Sequence, residues 1–444
     1  MTAVSAPSRT GFSEKVFRDP VYGNISVFSP AVMEIIDSPE FQRLRRINQL
    51  GMCHTVYHGA EHSRFQHSLG AMWLMHRVLR NWDDSRKIDM SPEVRLAATL
   101  AALLHDVGHG PFSHALENVF THFHHEEIGK RIVSERLRPI LERHGVDTDL
   151  ILGIMRGNAG MPFLTELIAS QVDVDRMDYL LRDSLYAGVR YGYYDIDRMI
   201  YALTPIPDAT GYVLALDPKG IHVAEEYLFS RYSMYWQVYF HKTTRSCEIA
   251  LRAVLARARD LFASRPEALY IPPNLGFVFE PPLSGRSGAK SKQEWLENFI
   301  QIDDTDFYHA IKLWRKSDDA ILADLADRFI NRRLLKTIPA PRESGRRAAI
   351  RDLVAARMGA EAARYYYHLD RPSDSAYDYY GPGKTAIRVV TRWHDDGTAQ
   401  WEEISKITQT RAIESLGQLV TRANLLIPED CVAEARALSD QGTA

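Results

Sequence analysis

The sequence predicts a mainly α-helical protein with a short N-terminal β-hairpin and a small α+β region at its C-terminal end. Three observations support this fold class. Helical patterns run through residues 64–200, 225–263 and 292–335, strand-like alternation opens the chain over residues 15–27, and strand and turn signals return after residue 341. The chain has 444 residues, of which 45% are hydrophobic and 25% charged. This is typical of a soluble globular protein with one large and one smaller domain.

The first elements are marked by turn residues and by proline. Residues 15–27 alternate apolar and polar side chains around turn residues, which favours a hairpin over a helix. Ser29-Pro30 and Ser38-Pro39 each predict a helix start, because serine caps a helix and proline suits its first position. The second of these helices keeps helical spacing at Phe41, Leu44, Ile47 and Leu50.

The central helices lead to a histidine-rich stretch. Residues 64–200 are predicted to be helical throughout, and Ser91-Pro92-Glu93 has the residues of a helix start. The helix that follows is uncharged over residues 97–104 and leads directly into His105-Asp106, with glycine and proline shortly after. We therefore expect this helix to end at a site. Residues 225–263 form the longest predicted helix, with an aromatic stripe typical of a buried face.

Proline and glycine divide the rest of the chain. Paired prolines at 272–273 and 281–282, followed by a glycine- and serine-rich stretch, predict a loop. The last segment combines a strand at 387–391, a turn at 395–397 and a helix at 412–423. The predicted organisation is a disordered lead-in (1–14), a main helical domain (15–271), a loop (272–291), a helical extension (292–340) and a small α+β domain (341–444).

Charge and cysteine content exclude several classes of protein. A net charge of −3 argues against a protein that coats nucleic acid, although it allows a local basic pocket. Cys53, Cys247 and Cys431 form no CxxC pair, so neither a disulfide framework nor a thiolate zinc site is indicated. The first thirteen residues lack a signal peptide's apolar core, and no run approaches membrane-spanning length. We expect a cytoplasmic protein with no membrane partner, and nothing indicates a nucleic acid partner.

Four residues form a candidate metal-ligand set. His67 lies at the entrance to a helical run, His105-Asp106 follows the apolar helix, and Asp175 lies further along the chain. Two imidazoles and two carboxylates from separate helices make an N2O2 set that suits Mn, Fe or Zn. The alternative is a buried histidine satisfied by a neighbouring carboxylate, which the His105-Asp106 pair alone does not exclude.

Six segments in order resemble the HD-domain phosphohydrolases. They are FRDPVYGNI, DSPEFQRLRRINQLG, GAEHSRFQHSLG, LLHDVGHGPFSH, HHEE and VDVDRMDYLLRDS. They are most similar to the deoxynucleoside triphosphate (dNTP) triphosphohydrolase branch, which includes a vertebrate enzyme with a sterile-alpha-motif domain and shorter bacterial relatives. The similarity is strong over residues 16–200, fragmentary to residue 336 and faint afterwards. It implies an HD-domain helical bundle in which His67, His105, Asp106 and Asp175 hold the divalent metal.

The resemblance also implies the reaction and the residues around the metal. The reaction is hydrolysis of a dNTP to deoxynucleoside and inorganic triphosphate, with Mg accompanying the substrate and with Ni or Co as alternatives at the HD site. The implied catalytic residues, which can donate hydrogen bonds or carry protons, are Arg64, His109, His114, His125 and Glu126. The implied substrate contacts are Gln49, Leu50, Arg64, Arg176, Tyr179, Asp183, Arg231, Tyr239 and His241. Among these, Gln49, Leu50, Asp183 and Tyr239 match residues that hold the 3′-hydroxyl or leave no room for a 2′-hydroxyl.

A second, regulatory site is implied between subunits. Asp37, Gln42 and Arg45 match residues that contact a guanine nucleotide, and Lys15, Arg332 and Lys336 match its phosphate contacts. The implied partner is GTP or dGTP, and the implied assembly is a homotetramer. Arg18 departs from the asparagine usual at its position in the vertebrate enzyme. The alternative interpretation is an ordinary solvated surface of charged residues.

Three functions follow from these patterns. The first is a metal-dependent dNTP triphosphohydrolase activated by a nucleotide through oligomerisation. The second is an HD phosphohydrolase that acts on another phosphoester, such as a monophosphate, a cyclic nucleotide or a nucleic acid end. The third is a nucleotide sensor with secondary catalytic activity. All four ligand positions are filled, which favours an active hydrolase.

Overall fold

The structure has the predicted fold class. This computed structural model describes residues 12–116, 124–209, 211–280, 289–374, 386–408, 413, 416 and 420–440. About 60% of it is helical, with a short N-terminal hairpin and small sheets toward the C-terminal end, which confirms the mainly α prediction. Most of the predicted lead-in, residues 281–288 of the predicted loop and residues 412, 414–415 and 417–419 of the helix predicted over 412–423 lie outside the described residues. The end of that predicted helix is wrong, because Val420–Thr421 form a strand that pairs with Ser373–Asp374.

The N-terminal hairpin forms where the sequence predicts it. Strand β1 (Lys15–Asp19) pairs antiparallel with β2 (Gly23–Val27). The Asp19 carboxylate accepts the backbone N–H groups of Val21 and Tyr22 at 2.9 and 3.0 Å, which closes the turn. Gly23 takes a φ of +72°, a conformation that favours glycine.

Helices form the bulk of the fold up to residue 264. The helix that leads to His105 begins and ends at the predicted signals: Ser91 accepts the N–H of Val94 at its start, and the helix stops at Leu104, directly before His105. The helices of this part are α1 (Pro30–Asp37), α2 (Pro39–Gln42), α3 (Arg64–Asp84), α4 (Pro92–Leu104), α5 (His125–Arg131), α6 (Arg138–Arg143), α7 (Thr148–Arg156), α8 (Pro162–Ile168), α9 (Val174–Ala187), α10 (Ile196–Ala202), α11 (Ile221–Met234) and α12 (Lys242–Ser264).

Two predicted helices are shorter than expected. The helix beginning at Pro39 continues only as a 3-10 turn over Arg43–Arg46, because the buried Arg43 side chain is anchored to the carbonyls of Val107 and His109 and the chain becomes extended at Ile47. The helix predicted over 225–263 is broken. Residues Tyr235–Tyr239 form a π-helical turn, and the chain leaves helical geometry before α12 begins.

Strands from distant parts of the sequence share two sheets. The hairpin of β3 (Leu203–Asp208) and β4 (Gly211–Leu216) extends through β8 (Arg388–Trp393) to β9 (Ala399–Glu403). The second sheet has the order β5 (Lys336–Pro339), β11 (Asn424–Ile427) and β6 (His368–Asp370). The remaining strands, β7 (Ser373–Asp374) and β10 (Val420–Thr421), pair with each other. The C-terminal residues therefore pair with β4 of the predicted main domain and with β5 of the predicted helical extension, and the predicted domain division remains a prediction.

Eight further helices complete the described chain. They are α13 (Gly276–Phe279), α14 (Ala289–Phe299), α15 (Asp304–Trp314), α16 (Ala320–Ile330), α17 (Ser344–Met358), α18 (Ala363–Tyr366), α19 (Ile404–Ile407) and α20 (Val432–Asp440). One continuous core of buried apolar side chains extends from Ile25 in the hairpin to Ala435 in the last helix. None of the described helices combines the length and the apolar character that a bilayer crossing requires.

Candidate metal centre and substrate cavity

Three packed helices present the four predicted metal ligands to one another. His67 lies in α3, His105 and Asp106 follow the last residue of α4, and Asp175 lies in the first turn of α9. Helix α3 packs against both α4 and α9. Ligands from separate helices that face one interior point are the arrangement by which helical bundles bind metals.

The ligand atoms of these residues converge. The Nε2 atoms of His67 and His105 lie 3.3 Å apart. Oδ1 of Asp175 lies 3.1 Å from the first of these nitrogens and 3.5 Å from the second. The two oxygens of Asp106 lie 3.6 Å from the Nε2 of His67 and 3.4 Å from that of His105. Ligand atoms of His67, His105 and Asp106 lie within 4.8 Å of one another, as one divalent ion with bonds of about 2.0–2.2 Å requires, and Asp175 approaches this group through the two imidazoles.

The hydrogen bonds behind the two imidazoles test whether they fit a metal. The Nδ1 of His67 lies 2.8 Å from Oδ2 of Asp178, and the Nδ1 of His105 lies 2.7 Å from the carbonyl of Ala102. A carbonyl only accepts hydrogen bonds, as does an ionised carboxylate, so each Nδ1 carries the hydrogen and each Nε2 presents its lone pair to the centre. The residues therefore fit a metal ion.

The charges at the centre favour a cation. Burial would raise the pKa of Asp106, but His105 and Arg64 hold it well below its usual range. Asp175 is likewise buried, yet hydrogen bonds from His105 and His67 lower its pKa far below the usual value. Burial would also lower the pKa of His67, and hydrogen bonds to Asp175 and Asp178 instead raise it to about 10, so the Nε2 of His67 binds a proton that a metal would displace on binding its lone pair. The carboxylates are thus ionised and attract positive charge, which a metal supplies when bound.

A second group of donors shares one of these ligands. Ligand atoms of Asp106, His109 and His125 lie within 4.8 Å of one another. The rings of the two histidines stack with centroids 3.8 Å apart and an angle of 14° between planes. Burial, together with the positive charge of Arg64, lowers the pKa of His109 well below its usual value. His109 is therefore a neutral imidazole at pH 7.

A cavity of about 430 Å³ opens beside the metal ligands. Its volume is within the range of small-molecule sites. Ten of the predicted site residues line it: Gln49, Leu50, Arg64, Asp106, His109, His125, Asp175, Tyr179, Asp183 and Tyr239. Metal-ligand carboxylates and the residues predicted to contact a sugar therefore face the same space.

The sugar-contacting residues are held in fixed orientations. Asp183 accepts the Tyr239 hydroxyl on Oδ2 at 2.7 Å and the Nε2–H of His62 on Oδ1 at 2.8 Å. All three side chains are largely buried, and burial with the nearby Asp183 charge raises the pKa of Tyr239 well above its usual value. The Tyr239 hydroxyl is therefore neutral and acts as a donor. The Oε1 atom of Gln49 is buried and makes no hydrogen bond within the described part of the chain, so it can accept one from a ligand.

The metal ligands His67 and His105 and five of the predicted catalytic and substrate residues are not among the described residues that line this cavity. Arg176 is partly buried and pairs with Asp173, whereas Arg231 is buried, donates to Gln171 and lies over the ring of Tyr235. Their Nε atoms make no hydrogen bond with the described residues. The other three are Glu126, whose side chain is 69% exposed; His241, whose ring accepts the N–H of Thr243; and His114, whose side chain lies outside the described residues.

Several residues around the site are not in the predicted set. Asp178 holds His67, and its position three residues after Asp175 on one helix was the signal that could have indicated it. Arg245, Glu248 and Arg252 line the cavity from α12. Arg245 pairs with Glu248 and with Asp370 of β6. No local sequence pattern indicates a pairing between such distant residues.

The predicted regulatory residues form two groups. The side chain of Gln42 donates to the Ile36 carbonyl at 2.7 Å and accepts from Arg45 at 2.9 Å. The Arg45 guanidinium lies 3.5 Å from the ring centroid of Phe65, and the charge of Asp37 attracts it. These side chains therefore share one surface, while Lys15 is exposed on β1.

The second group lines a basic cavity of about 710 Å³. Arg332 and Lys336 share this cavity with Lys242 and Arg436. Lys336 pairs with Glu429 at 3.2 Å, and Arg332 donates to the carbonyl of Thr55 at 3.0 Å. Among the hydrogen bonds and ion pairs of the described residues, none joins this group to the surface around Gln42.

Known proteins resemble this chain over most of its length. The HD domain matches residues 64–183, and the HD associated region matches residues 194–270. The uncharacterized protein YwfO of Bacillus subtilis is 35% identical over 435 residues, or 95% of this chain and 94% of that protein. The crystal structure of a phosphohydrolase from Bacteroides thetaiotaomicron has a TM-score of 0.81 at 32% identity, and the match covers 94% of this chain and 100% of that one.

A more distant relative has a named activity. The chicken protein named deoxynucleoside triphosphate triphosphohydrolase SAMHD1 is 30% identical over 286 residues, which are 56% of this chain and 46% of the chicken protein. The matched HD domain contains all four candidate metal ligands, and HD domains bind divalent metals. The chain thus belongs to the HD-domain phosphohydrolase family, with an HD-associated region after its HD domain.

Proposed function

We propose that this chain hydrolyses dNTPs to deoxynucleoside and inorganic triphosphate, and that a guanine nucleotide activates it through assembly into a tetramer. The observation that supports the reaction is one cavity that contains both metal-ligand carboxylates and the residues predicted to contact the sugar. The similarity to proteins named dNTP triphosphohydrolases supports the same substrate class.

The centre suits a polyanionic substrate. A divalent metal at the four ligands would lower the pKa of a bound water toward neutrality and polarise a phosphate oxygen. Arg64 adds a buried positive charge that pairs with Asp106 beside the cavity. Mg that arrives with the substrate would find donors in Asp106, His109 and His125. The buried Nε atoms of Arg176 and Arg231 are further donors that a rotation of these side chains could turn toward a triphosphate.

Histidines provide the proton carriers. His125 begins α5, lines the cavity and stacks on the neutral His109. We assign His125, with Glu126, to the α-phosphate, and His114 to proton donation to the departing 5′-oxygen. An imidazole is suited to these roles because its pKa lies near neutral pH.

The opposite wall suits a deoxyribose. Asp183 can accept a hydrogen bond from the 3′-hydroxyl while its two present bonds keep it oriented. The Tyr239 ring packs edge-on against Tyr235 and Tyr179. A side chain held by two ring contacts and by the hydrogen bond to Asp183 cannot easily move away from a 2′-hydroxyl, so the pocket should reject ribonucleotides by shape.

The proposed regulation uses the residues around Gln42 and the residues that line the basic cavity. The Asp37 carboxylate and the Gln42 and Arg45 side chains offer an acceptor and donors to a guanine base. The basic cavity around Arg332 and Lys336 offers cations to phosphates. No hydrogen bond or ion pair of the described residues joins the two groups within one chain. A nucleotide bound between subunits would contact one group from each subunit, and it would stabilise the oligomer by mass action because it binds only the assembled form.

Product analysis tests the reaction. Each dNTP and rNTP is incubated with purified protein and Mn or Mg, with and without GTP or dGTP, and the products are separated by chromatography. We expect deoxynucleoside and inorganic triphosphate in equal amounts from dNTPs. Inorganic phosphate or pyrophosphate instead of triphosphate would contradict the proposal and indicate another nucleotide phosphoester as substrate. Binding of nucleotide with no hydrolysis in any condition would favour a nucleotide sensor.

A further inference from the structure

A strained turn lies beside the metal ligands. Phe112 and Ser113 are consecutive non-glycine residues with left-handed φ angles of 53° and 54°. Side chains with a Cβ rarely adopt this conformation, so the surrounding structure must hold it. The turn lies within the histidine-rich stretch, and both residues line the cavity.

One buried carboxylate holds this turn against another segment of the cavity wall. Oδ1 of Asp304 accepts the N–H of Phe112 at 2.7 Å, and Oδ2 accepts the N–H of Asn48 at 3.0 Å. Asp304 is 4% exposed and begins α15, outside both regions that match the HD models. Asn48 directly precedes Gln49, which lines the cavity. The two oxygens of one side chain thus connect two parts of the substrate site.

The same turn connects to a metal ligand. The Ser113 hydroxyl donates to the carbonyl of Asn48 at 2.9 Å and accepts from Nε of Arg64 at 2.8 Å. The Arg64 guanidinium in turn donates to Asp106. An unbroken series of hydrogen bonds therefore leads from the Asp304-bound segments to the metal centre.

We infer that Asp304 is a positioning residue of the hydrolytic site: it holds the Phe112-Ser113 turn against Asn48 and thereby sets Arg64 beside Asp106. Both oxygens act as acceptors, which requires the ionised carboxylate. Burial raises the pKa of Asp304 to about 7, against the effect of its two backbone hydrogen bonds. The kinetic part of the inference rests on the proposed hydrolysis, whereas the clamp itself does not.

The variant Asp304→Asn tests the clamp, because asparagine keeps the shape but has one acceptor oxygen in place of two. Asp306→Asn is the matched control, since Asp306 lies in the same helical turn but accepts from Asp303 and Asn274, away from the cavity. Assays are run about two pH units above the pKa of Asp304, where the carboxylate is ionised. Metal content and thermal midpoints are measured for every sample.

We expect kcat to fall about ten- to a hundredfold in Asp304→Asn, as for a misplaced catalytic group, with KM within about twofold and metal content unchanged. Asp306→Asn should keep the wild-type kcat. Equal losses in both variants would show a general effect of the helix start and overturn the inference. So would a wild-type kcat in Asp304→Asn.

Hydrogen exchange tests the clamp independently of activity. Peptides that contain the amides of Asn48 and Phe112 should exchange about tenfold faster in Asp304→Asn than in the wild type or in Asp306→Asn, because one amide loses its acceptor. Unchanged exchange would overturn the clamp even if activity fell. If the wild type hydrolyses no phosphoester, the proposed function fails while the exchange result still decides the clamp.

A second variant is needed if Asp304→Asn does not fold. Ser113→Ala removes the hydroxyl that joins Asn48 to Arg64 and should lower kcat by a similar factor. A wild-type kcat in Ser113→Ala would refute the positioning role.

Discussion

Replacing Asp178 by asparagine should weaken metal binding although Asp178 is not a ligand. The side chain is fully buried, and its Oδ2 accepts the Nδ1–H of His67 at 2.8 Å. Arg182 donates to the same carboxylate from Nε at 2.8 Å and from Nη2 at 2.9 Å, and the Tyr22 hydroxyl donates at 2.8 Å. Asparagine has one acceptor oxygen, so either His67 or Arg182 loses a partner.

The expected loss follows from these contacts. Removing the partner that orients a metal-binding histidine costs about 10- to 100-fold in metal affinity, or about 1.4–2.7 kcal/mol. The fold should also lose about 3 kcal/mol, the lower end for breaking a buried ion pair. The lower end applies because Arg182 keeps a second partner, Asp19, at 2.7 Å.

The same carboxylate predicts a pH dependence. Burial would raise the pKa of Asp178, but the charge of Arg182 and the hydrogen bond from His67 lower it to about 2. A folded-state pKa below the unfolded value of about 3.9 stabilises the fold above that value, and the contribution is lost as pH falls toward 2. It amounts to about 2–3 kcal/mol for this fully buried group. Asp178→Asn should therefore show a flatter fall in stability between about pH 4 and pH 2.

Competition with a metal chelator measures the affinity, and urea unfolding across this pH range measures the stability. The control is Asp197→Asn, because Asp197 also pairs with an arginine but its side chain is 78% exposed. A folded Asp178→Asn protein with wild-type metal affinity would refute the reasoning, since the orientation of His67 would then not depend on this contact. A loss of metal in Asp197→Asn would refute it equally.

Three further predictions address the ligands, the sugar and the regulation. His105→Ala should lose metal and turnover together, by more than about a hundredfold, because one of four ligands is removed; metal analysis and product assays check this. Tyr239→Ala should raise the rNTP-to-dNTP ratio of kcat/KM by about tenfold or more, and an unchanged ratio would place the discrimination elsewhere. Arg45→Ala should abolish the stimulation of activity and the tetramer formation that GTP or dGTP causes, while metal content stays constant. Identical sedimentation and activity with and without nucleotide, in both the wild type and the variant, would contradict a regulatory role for the surface around Arg45.

The features that the sequence predicted correctly depend on neighbouring residues. Proline, serine and glycine determined where the hairpin and the helix before His105 begin and end, and the structure confirms both. The candidate ligands came from residue types that bind transition metals and from the resemblance to the HD-domain phosphohydrolases, and their role as ligands stays a prediction. Local signals therefore sufficed for these two elements, whereas the ligand set also needed the resemblance.

Features that depend on distant residues were not predictable. The parallel pairing of β4 with β8 joins residues such as Leu216 and Val389, and no local pattern specifies such a partner. The break after Tyr239 was missed because no proline or glycine near it marks the end of a helix. The pairing of Arg245 with Asp370 was missed because, as with β4 and β8, the two partners lie far apart in the sequence.

The metal centre is oriented by residues that lie outside the HD domain in the sequence. Tyr22 and Asp19 of the hairpin hold the Asp178–Arg182 pair, which orients His67, and Asp304 of the helical extension holds the turn that supports Arg64. The ligands alone cannot fix their own orientation, because an imidazole or carboxylate without such a partner can rotate. The geometry of the four ligands described above therefore depends on segments on both sides of the HD domain.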